Sequence, residues 1–436
     1  MPNAYEAMND AELKAAIADL EKQADDLRAL DLKLDMARGK PSPQQTALSR
    51  PMLDLLGSES DLSDEGVAAD NYGCPEGLPS ARRLAAELLG VDEKNVIVNG
   101  SSSLNLMHDV VCNAYTHGIG GNKPWSQQGK VKFLCPAPGY DRHFTVTARY
   151  GIENVPVPMT VEGPDMDVVR RYVEEDPSVK GIWCVPMYAN PTGITYSDEV
   201  VRAFAHLKPA APDFRIFWDN AYCVHTFKGE GDRLLNIFDA LEEAGAADLV
   251  YEFGSTAKVT FPSSGMAYMT ASPADMAEVR AAFASMRVSP EKISQLAHVR
   301  FLKDAAGVRA HMKKHAAIVA PRFALVEEKL TAGLADLGVA TWTHPCGGYF
   351  VSFDGPEGSA KAIVSLAAEL GVKLTPAGAT WPYGKDPKDT NIRIAPTFPT
   401  LEELGQALDV FVVAVKLVSA RLADRKSTRL NSSHCG

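Results

Sequence analysis

The chain has 436 residues, of which 46% are hydrophobic and 23% are charged, and its formal net charge is −11 at pH 7. This composition is typical of a globular protein with room for more than one domain, and it excludes collagen, coiled coil and wholesale disorder. The acidic balance argues against broad nucleic-acid binding, which requires basic residues to neutralise phosphates.

The seven cysteines are scattered and form no C-x-x-C pair, so we expect a reducing compartment and no structural metal site. The first residues lack the basic and apolar regions of a secretory signal. The longest apolar runs, such as 410–415, are far shorter than the roughly 20 residues of a membrane span. We therefore predict a cytoplasmic protein with neither a membrane nor a nucleic-acid partner.

The first predicted element is a helix over 10–30, with Asp10 as its N-cap and an apolar stripe that must dock on another element. Short apolar strands then alternate with helical patterns, which predicts an α/β fold with a mostly parallel sheet covered on both faces. The predicted strands are 96–98, 131–134, 181–185, 216–218, 249–253 and 267–270, and helices are predicted over 104–114 and 198–207.

From about residue 306 a long helical pattern leads into shorter α+β elements and a last helix over 401–422. We divide the chain into an N-terminal arm that forms part of a small domain (1–54), a large domain (55–305) and a small C-terminal domain (306–425). The polar segment 426–436 has no helical period, and we predict that it is a non-native tail.

Polar motifs follow several predicted strands, at the edge where parallel sheets bind ligands. Asn99-Gly100-Ser101-Ser102-Ser103 joins a strand to a helix whose free N–H groups suit an anion, although a plain serine N-cap explains it equally. Tyr140 follows the next strand and could be either a core residue or a stacking face. Asn190-Pro191-Thr192-Gly193 is, alone, ordinary turn chemistry.

Three further residues carry possible chemistry. Asp219 ends a strand and is followed three residues later by Tyr222, although such an aspartate is more often a helix cap or a metal ligand. Lys258, in Ser255-Thr256-Ala257-Lys258, also follows a strand, where a lysine is usually solvated; in a desolvated cleft it can form a Schiff base. Arg393 lies within a strand-like run, where its planar fork suits a carboxylate ligand or an ordinary ion pair.

In this order the motifs resemble those of the fold-type I pyridoxal-phosphate enzymes, the aspartate aminotransferase family, over about residues 30–420. Arg38-Gly39-Lys40-Pro41 and Asn71-Tyr72-Gly73 further resemble the branch called subgroup Ic, which is related to the aminotransferase-like half of the MocR regulators. The resemblance implies a mostly parallel sheet in a large cofactor-binding domain and a smaller α+β domain.

The resemblance also implies pyridoxal 5′-phosphate as cofactor, joined to Lys258 as an internal aldimine. Lys258 would move the proton between substrate and cofactor, and Asp219 would pair with the ring nitrogen. Asn190 and Tyr222 would bond the ring phenolic oxygen, and Tyr140 would stack on the ring. The phosphate would be held by Gly100, Ser101, Ser102, Ser255 and, from the neighbouring subunit of a homodimer with shared active sites, Tyr72.

For the substrate, the resemblance implies that Arg393 binds the α-carboxylate, close to Asn190 and the backbone of Gly39. Most relatives carry a phosphate-binding arginine about eight residues after the lysine, whereas this sequence has Met266 there. Subgroup resemblance favours aspartate and 2-oxoglutarate in a ping-pong aldimine/ketimine reaction. Their side-chain carboxylate requires a second cation, and Arg38, Lys40 and Arg287 remain open, with a surface role for Arg287 equally open.

Two alternatives are left. The same ring anchors serve other pyridoxal-phosphate reactions, such as a different transamination, β-elimination or decarboxylation. A MocR-like ligand-sensing regulator is less favoured, because those proteins carry an N-terminal winged helix of about 70 residues, whereas 37 residues precede Arg38 and the net charge opposes DNA binding.

Overall fold

The computed structural model describes residues 3–433, and their side chains as far as residue 426. In this part of the chain the helices are α1 (Asp10–Arg28), α2 (Pro43–Ala47), α3 (Pro79–Leu89), α4 (Ser103–Thr116), α5 (Asp141–Arg149), α6 (Met166–Glu175), α7 (Asp198–Ala205), α8 (Ile237–Glu243), α9 (Pro273–Met286), α10 (Lys292–Leu302), α11 (Ala305–Leu334), α12 (Ala360–Glu369) and α13 (Leu401–Ser433). The strands are β1 (Leu34–Asp35), β2 (Ser63–Asp64), β3 (Val67–Ala68), β4 (Val96–Val98), β5 (Lys132–Ala137), β6 (Glu153–Thr160), β7 (Gly163–Pro164), β8 (Val179–Cys184), β9 (Arg215–Asp219), β10 (Val250–Ser255), β11 (Ala267–Ala271), β12 (Thr341–Trp342), β13 (Val351–Asp354), β14 (Val372–Lys373) and β15 (Asn391–Ile394).

An eight-stranded sheet with the order β4-β11-β10-β9-β8-β5-β6-β7 forms the centre of the fold. Five adjacent strands, β10, β9, β8, β5 and β6, are parallel to one another. Strand β11 runs antiparallel to both its neighbours. This confirms the predicted α/β fold with a mostly parallel sheet. Every residue of β8 and β9 is buried, as expected for strands covered on both faces.

Two apolar clusters cover the faces of this sheet. One contains side chains of α4, α5 and α9, and the other contains side chains of α6, α7 and α8. A buried ion pair also ties β9 to α9, since Arg215 Nε lies 2.8 Å from Asp275 Oδ2. The covered sheet is therefore a rigid frame, and its strand ends hold the residues described below.

The N-terminal helix begins at Asp10 as predicted, but its N-cap is Asn9 and not Asp10. Asn9 and Glu12 form a capping box, in which each side chain bonds the backbone of the other. The predicted apolar stripe is confirmed, since Leu13, Leu20 and Ala24 are buried and pack in one cluster with residues of α13.

A three-stranded antiparallel sheet, β12-β13-β15, lies in the C-terminal part. Its apolar side chains share one cluster with α1, α11, α12 and α13. On this packing we propose that the arm and residues 306–425 form the small domain, as the sequence predicts.

The last helix continues to Ser433 rather than ending near residue 422. Of the predicted non-native tail, residues 434–436 lie outside the described residues. Within the described range, no helix has both the length and the apolar character needed to cross a membrane.

Candidate active site

Lys258 and Tyr222 meet at the carboxyl edge of the large sheet. They follow β10 and β9, which are adjacent and parallel, so the segments that leave these strands lie side by side. Lys258 Nζ lies 4.9 Å from the centre of the Tyr222 ring. Burial raises the pKa of Tyr222, and the charge of Asp219 raises it further, against the opposing charge of Arg393. The phenol is therefore protonated at neutral pH and can donate a hydrogen bond.

Asp219 is the last residue of β9 and is only 3% exposed. Its Oδ2 lies 2.9 Å from Nε2 of His143, and the His143 ring stacks on Trp183 with centroids 4.7 Å apart. The other carboxylate oxygen, Oδ1, is buried without a hydrogen-bond partner in the described part of the chain. Because a buried acceptor without a donor is costly, Oδ1 marks a place for a donor on a ligand.

Tyr140 lies immediately before α5 and beside the same group. Its ring is edge-on to the His143 ring at 4.9 Å. Burial raises the pKa of Tyr140, and the positive charge of Lys258 lowers it. The structure thus brings Tyr140 together with Asp219, Tyr222 and Lys258, as the resemblance predicts.

The predicted anion cradle lies between β4 and α4. Gly100 has a φ of +74°, a conformation that glycine adopts at little cost. Ser102 is the N-cap of α4, yet its side chain makes no capping hydrogen bond, so its hydroxyl is available to a ligand. The Gly100 N–H donates to the Glu291 carboxylate at 3.1 Å. An anion therefore already occupies one of the amides that are predicted to bind phosphate.

Glycine at position 265 lets the lysine segment approach this cradle. A Cβ there would lie 2.8 Å from Ala257 N and 3.0 Å from the Ser101 carbonyl oxygen. In the same lysine segment, Ser255 Oγ accepts a hydrogen bond from Ala257 N at 3.4 Å. Met266, at the position where the resemblance implies an arginine, is 1% exposed and packs in an apolar cluster.

Arg393 comes from the small sheet, on β15. Its Nη1 lies 3.2 Å from Asp141 Oδ1 and 3.2 Å from Asn190 Oδ1, and its Nη2 lies 3.4 Å from Thr375 Oγ1. The guanidinium carbon is 4.9 Å from the ring centre of Phe350. These contacts hold the guanidinium next to Asn190, one of the predicted cofactor ligands.

Gly39 packs directly against the Phe350 ring, which also contacts Arg393. A Cβ at Gly39 would lie 2.1 Å from Cζ of Phe350, so only glycine allows the arm to pass over this ring. The backbone of Gly39 and the guanidinium of Arg393 therefore contact the same ring.

The three candidate second cations differ in their surroundings. Arg287 forms an ion pair with Asp109 and lies 4.0 Å from the centre of the Phe283 ring, so it is already neutralised within this chain. Lys40 Nζ lies 3.7 Å above the Phe398 ring. Arg38 is exposed, and we find no side-chain partner for it among the described residues.

Tyr72 does not lie buried in the site of its own chain. It is 79% exposed, and its carbonyl oxygen accepts a hydrogen bond from Lys292 at 3.4 Å. This exposure is what a residue that completes the site of a second subunit would show.

The sequence did not reveal two histidines of the site. His143 is three residues after Tyr140, in the first turn of a helix at the ligand edge of the sheet, and that placement is the only signal it offered. His225 is buried between Tyr222 and Tyr349, whose rings lie 5.5 and 5.7 Å away. Burial and the charge of Lys258 lower the pKa of His225 to about 3, so it is a neutral imidazole.

Comparisons with known proteins show which family and which structures the chain resembles. The family model described as aspartate amino-transferase matches residues 8–426. A Mycolicibacterium smegmatis protein named as an aminotransferase is 46% identical over 405 residues, which cover 92% of this chain and 95% of that protein. An aspartate aminotransferase of Corynebacterium glutamicum is 42% identical over 404 residues, covering 92% and 93% of the two chains. The crystal structure of an aspartate transaminase from Corynebacterium glutamicum superposes with a TM-score of 0.94 at 40% identity and covers 96% of this chain and 99% of that one.

Proposed function

The chain belongs to the aspartate aminotransferase family of fold-type I pyridoxal-phosphate enzymes, and we propose that it transfers the amino group of aspartate to 2-oxoglutarate. The observation that carries this proposal is the convergence of Lys258, Asp219 and Tyr222 with Arg393 in one site. A reactive amine, a buried carboxylate and a carboxylate-binding guanidinium are the groups that a transamination of amino acids requires.

The residues present fit pyridoxal phosphate. The free oxygen Oδ1 of Asp219 suits a protonated ring nitrogen. The cradle at Gly100, Ser101 and Ser102 would hold the phosphate, for which the Gly100 N–H would exchange its present acceptor, the Glu291 carboxylate. Ser255 and, from a second subunit, Tyr72 would add hydroxyl donors. Tyr140, Asn190 and Tyr222 would hold the ring.

When bound, the cofactor supplies an aldehyde that reacts with amines and a ring that withdraws electrons from the substrate Cα. Lys258 would take the proton from that Cα and deliver it to the former aldehyde carbon of the cofactor, which requires its neutral amine. Asp219 keeps the ring nitrogen protonated, and His143 holds the Asp219 carboxylate in place. Arg393 orients the substrate by binding its α-carboxylate through two N–H groups.

We propose that Arg38 binds the side-chain carboxylate of the substrate. Arg38 is next to Gly39, which contacts the Phe350 ring, and the Arg393 guanidinium contacts the same ring. We find no side-chain partner for the charge of Arg38 among the described residues. Arg287 is less suitable because Asp109 already pairs with it.

The test is a steady-state comparison of amino donors with 2-oxoglutarate as acceptor. We expect aspartate to give the highest kcat/KM, with oxaloacetate and glutamate formed in equal amounts. Release of carbon dioxide or ammonia in place of these products would contradict transamination. A higher kcat/KM for an aromatic or aliphatic donor would contradict the assignment of aspartate.

Arg38→Ala tests the second cation separately. We expect the variant to lose roughly tenfold to hundredfold in kcat/KM for aspartate, the size of a hydrogen bond to a charged group, and little for alanine. Arg50→Ala, which alters another arginine of the N-terminal arm, is the control. An equal loss of kcat/KM for aspartate and alanine would show that Arg38 does not bind the side-chain carboxylate of the substrate.

We further propose a homodimer in which Tyr72 reaches the phosphate of the neighbouring site. Its 79% exposure supports this proposal. In a mixture of Tyr72→Ala and Lys258→Ala subunits, one of the two sites in each hybrid dimer would carry neither change. Activity above that of both parents would therefore support shared sites, and a monomer by light scattering would contradict them.

A further inference from the structure

A polar cavity of about 250 Å³ lies where α3, β9 and β10 meet. Its lining includes Trp218, Asn220, Cys223 and Glu252, together with the exposed Asp232. None of the roles described above uses this cavity. Its volume is enough for several water molecules, so it can hold an ion with part of its hydration shell.

Glu252 brings a carboxylate into this cavity. It lies in the middle of β10, opposite Trp218 of β9 and Thr270 of β11, and it is only 3% exposed. The single hydrogen bond that we find for its side chain among the described residues comes from Asn220 Nδ2 to Oε1 at 2.9 Å. A carboxylate can accept about four hydrogen bonds, so most of its acceptor capacity is left over.

Asn220 provides an independent observation. It is 8% exposed, and because its Nδ2 is committed to Glu252, the orientation of the amide is fixed. Its Oδ1 is buried and has no hydrogen-bond partner among the described residues. Two neighbouring buried side chains thus present surplus acceptors to one cavity, which favours a positively charged ligand.

We infer that this cavity binds a monovalent cation such as K⁺, Na⁺ or ammonium, held by oxygen atoms of Glu252 and Asn220. Glu252 is the buried carboxylate of the lining, so a single positive charge neutralises it, whereas Asp232 is exposed to solvent and accepts a hydrogen bond from Thr195 Oγ1 at 2.8 Å. Carboxylate and amide oxygens are ligands suited to hard cations. The inference does not depend on the reaction proposed above.

The cation and a proton compete for the same carboxylate. Burial raises the pKa of Glu252 to about 8, and the bond from Asn220 opposes that rise. A cation favours the ionised form, so we expect its affinity to increase as the pH rises from 6 to 9. Cys223 and Tyr268 face the same carboxyl, and because burial raises the pKa of both thiol and phenol, they remain protonated over this range.

The test is the melting temperature of the holoenzyme in KCl, NaCl and ammonium chloride, against choline chloride and MgCl₂ at equal ionic strength. We expect the small monovalent cations to raise the melting temperature over choline by about 1–3 °C at ten times the Kd, and more at pH 9 than at pH 6. Glu252→Gln should abolish the difference. Glu278→Gln should retain the difference; it alters a carboxylate that accepts a hydrogen bond from the Gly120 N–H at 2.9 Å.

Crystals soaked in Tl⁺ give a second measurement on the unaltered protein. An anomalous peak in contact with the Glu252 carboxylate and Asn220 Oδ1 would support the site even if Glu252→Gln failed to fold. An empty cavity in the soaked crystals, the same salt response in wild type and Glu252→Gln, or a stronger response to Mg²⁺ than to K⁺ would overturn it.

Discussion

His143 and Asp219 form a buried pair in which Nε2 of the imidazole lies 2.9 Å from Oδ2 of the carboxylate. Stacking on Trp183, at an interplanar angle of 15°, fixes the plane of the imidazole. The contact with His143 occupies Oδ2 of Asp219 and leaves Oδ1 without a hydrogen-bond partner among the described residues. The protein therefore sets the direction in which Asp219 meets a ligand before that ligand arrives, which reduces the reorganisation required on binding.

Replacing His143 by phenylalanine keeps a ring to stack on Trp183 but removes the hydrogen bond. We expect kcat to fall roughly tenfold to hundredfold, since a hydrogen bond to a charged group is worth about 1.5–3 kcal/mol. His108→Phe is the matched control, because His108 lies 3.3 Å from Asp109 in a pair that is partly exposed and should contribute little. Equal losses in both variants would contradict an orienting role for His143.

Replacing Asp219 by asparagine removes the charge with little change of shape. Two unit charges about 4 Å apart interact by roughly 4 kcal/mol at an effective dielectric of 20, so we expect kcat to fall by about three orders of magnitude. The far-ultraviolet circular dichroism should be unchanged, which separates lost chemistry from lost folding. Turnover within tenfold of the wild type would contradict the pairing of Asp219 with a cationic ring nitrogen.

Lys258→Ala removes the amine that we propose to bond the cofactor covalently. We expect borohydride reduction of the wild-type holoenzyme to fix the cofactor on the peptide that contains Lys258, and to fix none on the variant, because alanine has no amine. Mass spectrometry of the digested protein measures this directly. Lys228→Ala is the control and should be labelled at Lys258 as in the wild type; a labelled peptide elsewhere in the chain would refute the assignment.

The confirmed fold, and the proximity of the candidate site residues, follow from local order along the chain. Apolar strands alternating with helices predict a parallel sheet, and adjacent parallel strands end at one edge, which brings Tyr222 and Lys258 together. Motif order along the chain then adds Asp219 and Tyr140. The predicted N-cap of α1 is wrong by one residue because both Asn9 and Asp10 are good caps, although Glu12 three residues after Asn9 indicates the capping box.

The remaining residues depend on contacts between distant segments. His143 reaches Asp219 only because α5 packs over Trp183 of β8, and no local sequence pattern predicts that packing. The same limit applies to the second cation: Arg287 and Arg38 are equivalent as sequence, whereas the structure pairs Arg287 with Asp109.

Arg393→Lys tests whether the planar fork of the guanidinium, and not only its charge, binds the substrate. Lysine keeps the positive charge but cannot offer two parallel N–H groups, so it loses bidentate binding of a carboxylate. We expect KM for both aspartate and 2-oxoglutarate to rise roughly tenfold to hundredfold. The visible spectrum of the bound cofactor should stay unchanged, because Arg393 is assigned to the substrate.

The matched control is Arg421→Lys, since Arg421 pairs with Glu21 on the surface and its side chain is 46% exposed. That variant should keep the KM of the wild type because exposed pairs contribute little. Asp141 and Asn190 contact the same Nη1, so they limit how far a substituted side chain can shift. An Arg393→Lys enzyme with an unchanged KM for both substrates would remove Arg393 from the substrate site and leave it as a structural ion pair with Asp141.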